Sequence, residues 1–427
     1  MTEDNETTPA AGGSILVVGG GISGLTAAIE AAEVGYEVFL VEKEASLGGR
    51  VAQLNKYFPK LCPPTCGLEI NYRRIKDNPN IKVLTLTEVE KVDGSPGAYE
   101  VTLKIKPRYV EDNTTGYDEL IESLQTELPN DHDFGMSTTK GLYVPHDMAF
   151  PYKYVVSPDI LRTGDAKKIK DALPEGAVDL DAQPKSMKIN VGAVIWATGW
   201  TPYDATKIDN LGFGQYDNII TNMMMERYAS SNGPTRGKII RPSDRKEPES
   251  IAFVQCAGSR DENHLPYCSY ICCMASLKQA TYIREQYPEA KIYIFYIDLR
   301  TPGQRYEKFY KQIKEDENIF FIKGKVAEVS EDPATRNITV VAENAVTGEK
   351  IHQTVELVVL ATGMQPTAKD NPLPVNLKTD ENGFIVNDLD KGGMFAVGCA
   401  NKPLDVVSSN QNATGMALRA IQTLVNR

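Results

Sequence analysis

The sequence predicts an α/β fold built from two units of the dinucleotide-binding type. A glycine-rich loop, Gly19-x-Gly21-x-x-Gly24, joins an apolar strand to a helix near the start of the chain. Two near-repeats, at 193–199 and 357–363, are apolar strands that each end in Ala-Thr-Gly. Between them, a second strand–helix–strand pattern occupies 251–297. Strands that alternate with helices in this way are typical of parallel sheets.

Composition limits the kind of protein. The 427 residues leave room for more than one domain. A hydrophobic content of 41% and a charged content of 24% are ordinary for a soluble globular protein. The net charge of −11 argues against nucleic acid or an anionic membrane surface as a partner. No apolar run approaches the roughly 20 residues that span a membrane, so we expect no direct membrane span.

The first unit carries a complete dinucleotide-binding pattern. Gly19 makes the tight turn, Gly21 lets the backbone approach a pyrophosphate, and Gly24 lets the helix pack closely on the strand. The first turn of the helix, which includes Ser23, offers unpaired N–H groups to the phosphates. Glu42 ends the second strand, 18 residues after Gly24, where a carboxylate accepts hydrogen bonds from ribose hydroxyls.

The dinucleotide predicted for this unit is FAD rather than NAD. Gly48-Gly49-Arg50 follows the acidic residue closely, and a strand of the form Gly-x-x-Ala-Val-Gly ends at Gly398. This set resembles the flavoproteins with two dinucleotide-binding domains, such as the disulfide reductases. Arg50 is interpreted as a phosphate partner, with a surface acid as the alternative. The predicted FAD-binding residues are Gly19, Gly21, Ser23, Gly24, Glu42, Lys43, Gly49, Arg50, Val89, Thr198, Gly199, Gly363, Gly398 and Cys399.

One of these positions departs from the disulfide-reductase pattern. In those flavoproteins an aspartate usually follows the final glycine and contacts the ribityl chain, whereas Cys399 stands there in this chain. Backbone contacts around Gly398 are compatible with the change, but the side-chain contact is not preserved.

The domain boundaries follow from these motifs. We expect a disordered tail at 1–12, where the sequence is polar and acidic and unlike an export signal. The first part of the FAD-binding domain is assigned to 13–200, with an insertion or loose subdomain at about 107–185, where periodicity is weak. A degenerate nucleotide-binding domain is assigned to 201–365, and the second part of the FAD-binding domain to 366–427.

The second unit lacks a glycine cradle for a nicotinamide dinucleotide. Its first strand runs directly into Cys256, and its helix, predicted from Cys273, is entered through Cys268 and Cys272. We therefore expect no binding of NADH or NADPH.

The cysteine pattern Cys-x11-Cys-x3-Cys-Cys predicts an iron–sulfur cluster instead. Four of the seven cysteines fall within 18 residues, and four thiolates hold a cubane cluster. A helix start stabilises anionic sulfur. Buried core cysteines are the plain alternative, and zinc is the rival metal, although the adjacent Cys272 and Cys273 suit its usual spacings poorly.

Three segments carry a more specific resemblance: QCAGSRDENHLPYCSYICCMASLKQA, GPTRGKIIRPSDRKEPES before it, and VGCANKPLDVVSSNQNA near the end. The chain resembles the flavoprotein A subunits of heterodisulfide reductases over 13–427. Its short length favours their relatives in the quinone-interacting membrane-bound oxidoreductase complexes of sulfate-reducing microbes. The resemblance implies that Cys256, Cys268, Cys272 and Cys273 hold a [4Fe–4S] cluster. It also implies that Lys278 lies near the flavin, against the alternative of a solvated helix lysine.

The same resemblance implies a function and partners. FAD and the cluster would pass electrons between a membrane quinone module and a soluble partner, adenylylsulfate reductase. The implied subunits are a second flavin and iron–sulfur protein and a haem b membrane protein. They would hold this chain on the cytoplasmic side of the membrane. Two other functions remain open, a stand-alone disulfide oxidoreductase and a scaffold that keeps FAD only for its structure.

Departures from the family limit the cofactor count. The A subunits of heterodisulfide reductases usually carry ferredoxin-type cysteines after the KPRYV segment, but here no cysteine lies between Cys66 and Cys256. We therefore expect one FAD and one cluster. Cys62 and Cys66, on either side of Pro63-Pro64-Thr65, are interpreted as structural or as a redox dithiol.

Overall fold

The computed structural model describes residues 13–111, 116–390 and 392–425, so the tail predicted to be disordered lies outside the described residues. The strands are β1 (Ser14–Val18), β2 (Glu37–Val41), β3 (Ile81–Leu84), β4 (Thr87–Ser95), β5 (Ala98–Ile105), β6 (Glu127–Pro129), β7 (Thr138–Lys140), β8 (Leu142–Tyr143), β9 (Val155–Val156), β10 (Lys185–Val191), β11 (Ala193–Trp196), β12 (Trp200–Pro202), β13 (Ile219–Thr221), β14 (Ser250–Ala257), β15 (Lys291–Tyr296), β16 (Ile319–Lys323), β17 (Val326–Glu331), β18 (Ile338–Glu343), β19 (Lys350–Val355), β20 (Leu357–Thr362), β21 (Met364–Pro366) and β22 (Met394–Ala396). The helices are α1 (Ile22–Glu33), α2 (Thr65–Asp77), α3 (Asp118–Ser123), α4 (Gly164–Ala172), α5 (Asn222–Ala229), α6 (Cys272–Gln286), α7 (Gln304–Lys314), α8 (Thr367–Asp370) and α9 (Val406–Val425).

The first unit is a five-stranded parallel sheet in the order β22-β11-β1-β2-β3. Its central strands are buried on both faces, which explains their continuous apolar sequences. Helices α1 and α9 cover one face, and the antiparallel sheet β10-β5-β4 covers the other. The glycine-rich loop therefore lies at the carboxyl end of the central strand β1, where open α/β sheets bind ligands.

The second unit repeats this plan. Its parallel sheet has the order β13-β20-β14-β15-β16, with α5, α6 and α7 packed on one face. The antiparallel sheet β17-β18-β19 covers the other face. The expected α/β fold with two units of the dinucleotide-binding type is confirmed.

The two Ala-Thr-Gly repeats mark where the chain crosses between the units. The first follows β11 in the first sheet, and the second lies at the end of β20 in the second sheet. The strands that come next, β12 and β21, pair with each other in antiparallel fashion. The chain thus leaves the first unit and returns to it along one two-stranded ribbon.

The insertion is packed around a small core of its own rather than loose. Its short elements surround buried apolar side chains that include Leu124, Leu142, Ile160 and Ile169. The insertion also rests on the first unit, because Phe150 stacks on Tyr72 with ring centroids 5.0 Å apart. The weak periodicity of this segment gives no indication of such packing.

Within the described ranges, none of the helices is long and apolar enough to cross a membrane.

The contact between α1 and α9 requires small side chains. Ala413, Ala417 and Ala420 are fully buried against α1. We expect Ala417→Leu to lower the free energy of unfolding by about 1–3 kcal/mol, because the added methyl groups have no space. Leu418→Ala is the control, since Leu418 is 56% exposed, and we expect it to change stability by less than about 0.5 kcal/mol. Thermal unfolding of both variants measures the difference, and equal stabilities would contradict the packing described.

Candidate functional site

A cavity of about 1730 Å³ lies between the two units. It exceeds the roughly 300–1,000 Å³ of ordinary small-molecule pockets, so it has room for a whole dinucleotide. Its walls come from the glycine-rich loop, the segments after β2 and β11, the insertion, and helices α5 and α6. The predicted site residues that line it are Gly19, Gly21, Ser23, Glu42, Lys43, Gly49, Arg50, Val89, Thr198, Gly199, Lys278 and Cys399.

The glycine-rich loop tolerates no side chain at two positions. Gly19 has φ +111°, and a Cβ there would overlap the carbonyl of Ala197. A Cβ on Gly24 would overlap the carbonyl oxygen of Gly19 and lie 3.2 Å from the Cβ of Ala197. Gly24 therefore does not line the cavity but lets α1 approach β11, which keeps the helix N-terminus directed at the cavity.

Two other predicted glycines also lie outside the cavity wall. Gly398 has φ +59°, and a Cβ on it would overlap the hydroxyl of Ser23. Gly363 lies in the second unit beneath the loop that carries the cysteines, where a Cβ would come within 2.8 Å of Ser269 Oγ. Gly363 was predicted to bind FAD, but the structure places it against the cysteine loop, because β20 belongs to the second sheet.

Glu42 is buried at the end of β2. Its Oε2 accepts a hydrogen bond from the N–H of Gly20 at 2.6 Å, and its Oε1 accepts one from the N–H of Glu44 at 2.9 Å. Burial raises the pKa of Glu42 above its ordinary value, and the two backbone hydrogen bonds oppose that rise. A carboxylate held at this end of the glycine-rich loop fits the ribose of a dinucleotide.

The other predicted site residues of the first unit differ in their exposure and in their hydrogen bonding. The Arg50 guanidinium lines the cavity and donates to Gln53 Oε1 at 3.1 Å and to the carbonyl of Trp200 at 3.3 Å. Among the described residues, the buried hydroxyl of Thr198 has no hydrogen-bond partner, which is unusual for a buried polar group and fits a cofactor contact. Lys43 is largely exposed, and its Nζ lies 3.7 Å from Glu44 Oε1. Cys399 is buried, its Sγ 3.5 Å from the carbonyl of Leu404.

The insertion brings a stacked histidine pair to the cavity that no sequence motif indicates. The rings of His132 and His146 lie 4.4 Å apart, nearly parallel, in the cavity wall. Burial lowers the pKa of His132 to about 2 and that of His146 to about 4, so both imidazoles are neutral at pH 7. The two residues are 14 apart in a weakly periodic segment. No local pattern in the sequence joins them.

Lys278 is not a solvated helix lysine. It is 2% exposed, and its Nζ lies 2.9 Å from Glu226 Oε1 and 2.6 Å from the carbonyl oxygen of Lys56. Burial lowers the pKa of Lys278, and the charge of Glu226 opposes that shift. The structure thus places a buried ammonium group in the cavity wall. This position is compatible with the expectation that Lys278 lies near the flavin.

Glu226 is a further cavity residue that no sequence motif indicates. Its carboxylate contacts several groups at once. Besides Lys278, it accepts hydrogen bonds from Gln279 Nε2 at 2.6 Å, Tyr282 Oη at 3.1 Å and the N–H of Asn55 at 3.0 Å. Asn55 belongs to the first unit, whereas the other donors belong to α6. In the sequence Glu226 follows three methionines, and nothing there indicates a buried carboxylate.

The four clustered cysteines lie where the second unit would otherwise bind a dinucleotide. Cys256 is in a bulge near the end of β14, with φ +57°, and Cys272 and Cys273 open α6. The helix thus begins one residue earlier than predicted, and Cys268 precedes it in the connecting loop. The Cys272 Sγ lies 3.6 Å from the carbonyl of Thr362, and the Cys273 Sγ lies 3.8 Å from that of Asp298.

These thiols are close enough to influence one another. Burial raises the pKa of Cys256 to about 11, and the sulfurs of Cys273 and Cys268 contribute to that rise while Arg260 opposes it. Burial also raises the pKa of Cys272, as do its three cysteine neighbours. Iron would therefore have to displace protons from the thiols.

Within the part of the chain that the structure describes, no three His, Cys, Asp or Glu side chains converge as ligands of a single metal ion. A cubane cluster needs a different arrangement, because each cysteine binds a different iron atom and the sulfurs surround the cluster. Four mutually interacting thiols at one turn fit that donor set better than they fit a tetrahedral zinc site.

The other two cysteines of interest, Cys62 and Cys66, are exposed. Cys62 lines the cavity. Cys66 lies in the first turn of α2.

Comparison with known proteins agrees with the fold. The family model for the NAD(P)-binding Rossmann-like domain matches residues 17–82. The thioredoxin reductase of Lactococcus lactis is 14% identical, with a TM-score of 0.53 and coverage of 97% of this chain and 99% of that one. The T. acidophilum thioredoxin reductase gives a TM-score of 0.52 at 14% identity, with 97% of each chain covered. These similarities show the two-domain fold of flavoproteins of the thioredoxin reductase kind.

Proteins with higher sequence identity show which proteins this chain is related to. An iron–sulfur A subunit of the CoB–CoM heterodisulfide reductase of Methanopyrus kandleri is 40% identical over 96% of this chain and 64% of its own length. Its counterpart in Methanocaldococcus jannaschii is 39% identical over 95% of this chain and 63% of its own length. The chain is thus related to the A subunits of heterodisulfide reductases, as the sequence motifs indicated, and spans less than two thirds of these relatives. Membership of a quinone-interacting complex stays a prediction.

The packing of Gly24 allows a direct test of the flavin site. We expect Gly24→Ala to abolish or strongly reduce FAD retention, because the added Cβ separates α1 from the loop that faces the pyrophosphate. Gly415→Ala is the matched control, since no atom of the described part of the chain lies within 4 Å of a Cβ at that exposed helical position. The ratio of flavin absorbance to protein concentration after purification measures FAD retention in each variant. Full flavin content in the Gly24 variant would contradict the assignment.

The buried histidines predict acid sensitivity. Because burial lowers the pKa of His146 from 6.5 to about 4, the unfolded chain binds more protons than the native protein between those pH values. The free energy of unfolding therefore falls as the pH drops from about 6.5 towards 4.

A His146→Phe variant should show a shallower pH dependence, measured as denaturant midpoints across that window. His352→Phe, at an exposed position of β19, is the control and should keep the slope of the unaltered protein. An unchanged slope in the His146 variant would show that this imidazole is not buried.

Proposed function

We propose that the chain is an electron-transfer flavoprotein subunit that passes electrons through FAD and one [4Fe–4S] cluster. The proposal rests on the second unit, in which cysteines replace the usual glycines. Four cysteines stand at the strand-to-helix turn where a nucleotide-binding unit normally presents its glycines. The turn therefore offers sulfur ligands in place of a cradle for NADH or NADPH.

Each cofactor has a distinct set of residues. The glycine-rich loop and the N-terminus of α1 would bind the FAD pyrophosphate, and Glu42 the ribose. Cys256, Cys268, Cys272 and Cys273 would hold the cluster. FAD supplies two-electron chemistry and the cluster one-electron chemistry, so together they let electron pairs be delivered one at a time.

Lys278 is proposed to act on the flavin. A buried ammonium group stabilises negative charge on a neighbouring ring more strongly than an exposed one, because water does not screen it. The carboxylate of Glu226 fixes the position of the ammonium at 2.9 Å. Lys278 would thus favour the reduced, anionic flavin.

The proposed partners follow from the resemblance of the sequence motifs to the A subunits of heterodisulfide reductases and of quinone-interacting oxidoreductase complexes. The relatives are named as subunits of heterodisulfide reductases. We propose that further carriers are on partner subunits, namely a second flavin and iron–sulfur protein and a haem b membrane protein. Electrons would pass between their quinone site and adenylylsulfate reductase, with this chain on the cytoplasmic side.

A disulfide oxidoreductase is the second candidate function. It is favoured by Cys62, which is exposed and lines the cavity, with Cys66 four residues further along. In that case a disulfide substrate, like the heterodisulfide for which the relatives are named, would react near the flavin. Turnover of a disulfide without partners, lost in Cys62→Ser, would favour this candidate.

Iron and flavin analysis tests the leading proposal. Protein purified without oxygen should contain about four irons and one flavin per chain. Cys272→Ser should lose most of the iron and the EPR signal of the reduced cluster while retaining flavin, because Cys272 lies in the second unit and not in the glycine-rich loop. Cys62→Ser is the control, and it should keep full iron. Iron-free protein, or rapid reduction of the flavin by NADH or NADPH, would count against the proposal.

A further inference from the structure

We propose that Arg227 and Asp133 are positioning residues that fix the cluster-bearing unit against the flavin cavity. This inference rests on the proposed electron transfer between FAD and the cluster. It assigns a function to the insertion, which contains no cysteine of its own.

The two residues form a buried ion pair. Arg227 Nε donates to Asp133 Oδ1 at 2.8 Å, and the side chains are only 1% and 5% exposed. Further hydrogen bonds support the pair. Arg227 Nη2 donates to Asn232, and Asp133 Oδ2 accepts from Ser137 Oγ at 2.6 Å. A buried ion pair with additional hydrogen bonds on both partners holds its two segments in one geometry.

The pair joins parts of the molecule that are distant in the chain. Asp133 ends a short 3-10 turn of the insertion, and its neighbours Asn130, Asp131 and His132 line the cavity. Arg227 lies on α5 of the second unit. The adjacent Glu226 also contacts the first unit, where it accepts a hydrogen bond from the N–H of Asn55. Together with the ribbon of β12 and β21, these contacts of α5 tie the two units together.

Helix α5 is in turn connected to the cysteine turn. The carbonyl of Asn222, at its start, accepts from Gln279 Nε2 of α6 at 2.8 Å, and Asn222 Oδ1 accepts from Thr362 Oγ1 at 2.9 Å. The carbonyl of that threonine is the group next to Cys272 Sγ. A shift of α5 therefore moves the helix and the strand that carry or contact the cluster ligands.

The ion pair matters because electron transfer depends steeply on the separation of donor and acceptor. In each step one electron leaves the reduced flavin and enters the oxidised cluster, so no chemical group moves between them. Removing the aspartate charge leaves the guanidinium buried and uncompensated. The turn and the helix would then separate to let in water, which changes the distance between the cofactors.

The test uses Asp133→Asn in the complete protein with both cofactors bound. Hydrogen exchange should increase in the 131–137 turn and in α5. Pulse radiolysis should show the concentration-independent electron transfer between flavin and cluster slowed by about tenfold or more. Iron and flavin contents should stay unchanged. Glu100→Gln is the control, because its 2.7 Å ion pair with Lys188 lies within the first unit.

If Asp133→Asn left either hydrogen exchange or the rate of electron transfer between flavin and cluster unchanged, the proposal would be overturned. Should that variant not fold, Asp133→Glu keeps the charge and shifts the carboxylate, and it is judged by the same two measurements. The outcome is distinguishable from failure of the proposed function. If the unaltered protein contained no iron or showed no internal electron transfer, the proposed function would fail, while the exchange measurement would still test the ion pair.

Discussion

The arrangement of the cavity depends on one buried carboxylate. Glu226 accepts hydrogen bonds from the backbone of the first unit and from three side chains of the second. A carboxylate is stable at such a depth only when its oxygens are fully paired, because desolvation otherwise disfavours its charge. The loop at Asn55 and helix α6 are consequently held on either side of the same group. This places Lys278 in the cavity wall.

The two units share one plan but offer different chemistry at equivalent places. In each, a central parallel strand ends at a turn that leads into a helix, where the N-terminus favours negative charge. The first turn presents backbone N–H groups, which suit phosphates. The second presents thiols, which suit iron once they lose their protons. The same topology thus carries a turn suited to phosphates in one unit and a turn that presents thiols in the other.

The insertion links these two sites. Its core makes it a folded element rather than a flexible loop, and its histidines stay neutral because they are buried. Neutral imidazoles add hydrogen-bonding groups to the cavity without adding charge. The insertion therefore serves as a wall of the flavin cavity, and Asp133 connects that wall to the second unit.

The sequence by itself determined the fold class and the two chemical motifs, because glycine spacing, apolar strands and clustered cysteines are local patterns. The structure confirms the strand and helix at the glycine-rich loop, and it places the cysteines at the expected turn of the second unit. Only the tertiary structure decided that Lys278 is buried, that Gly363 lies under the cysteine loop, and that His132 and His146 meet. Those placements depend on desolvation and on contacts between segments far apart in the chain, which no local pattern records.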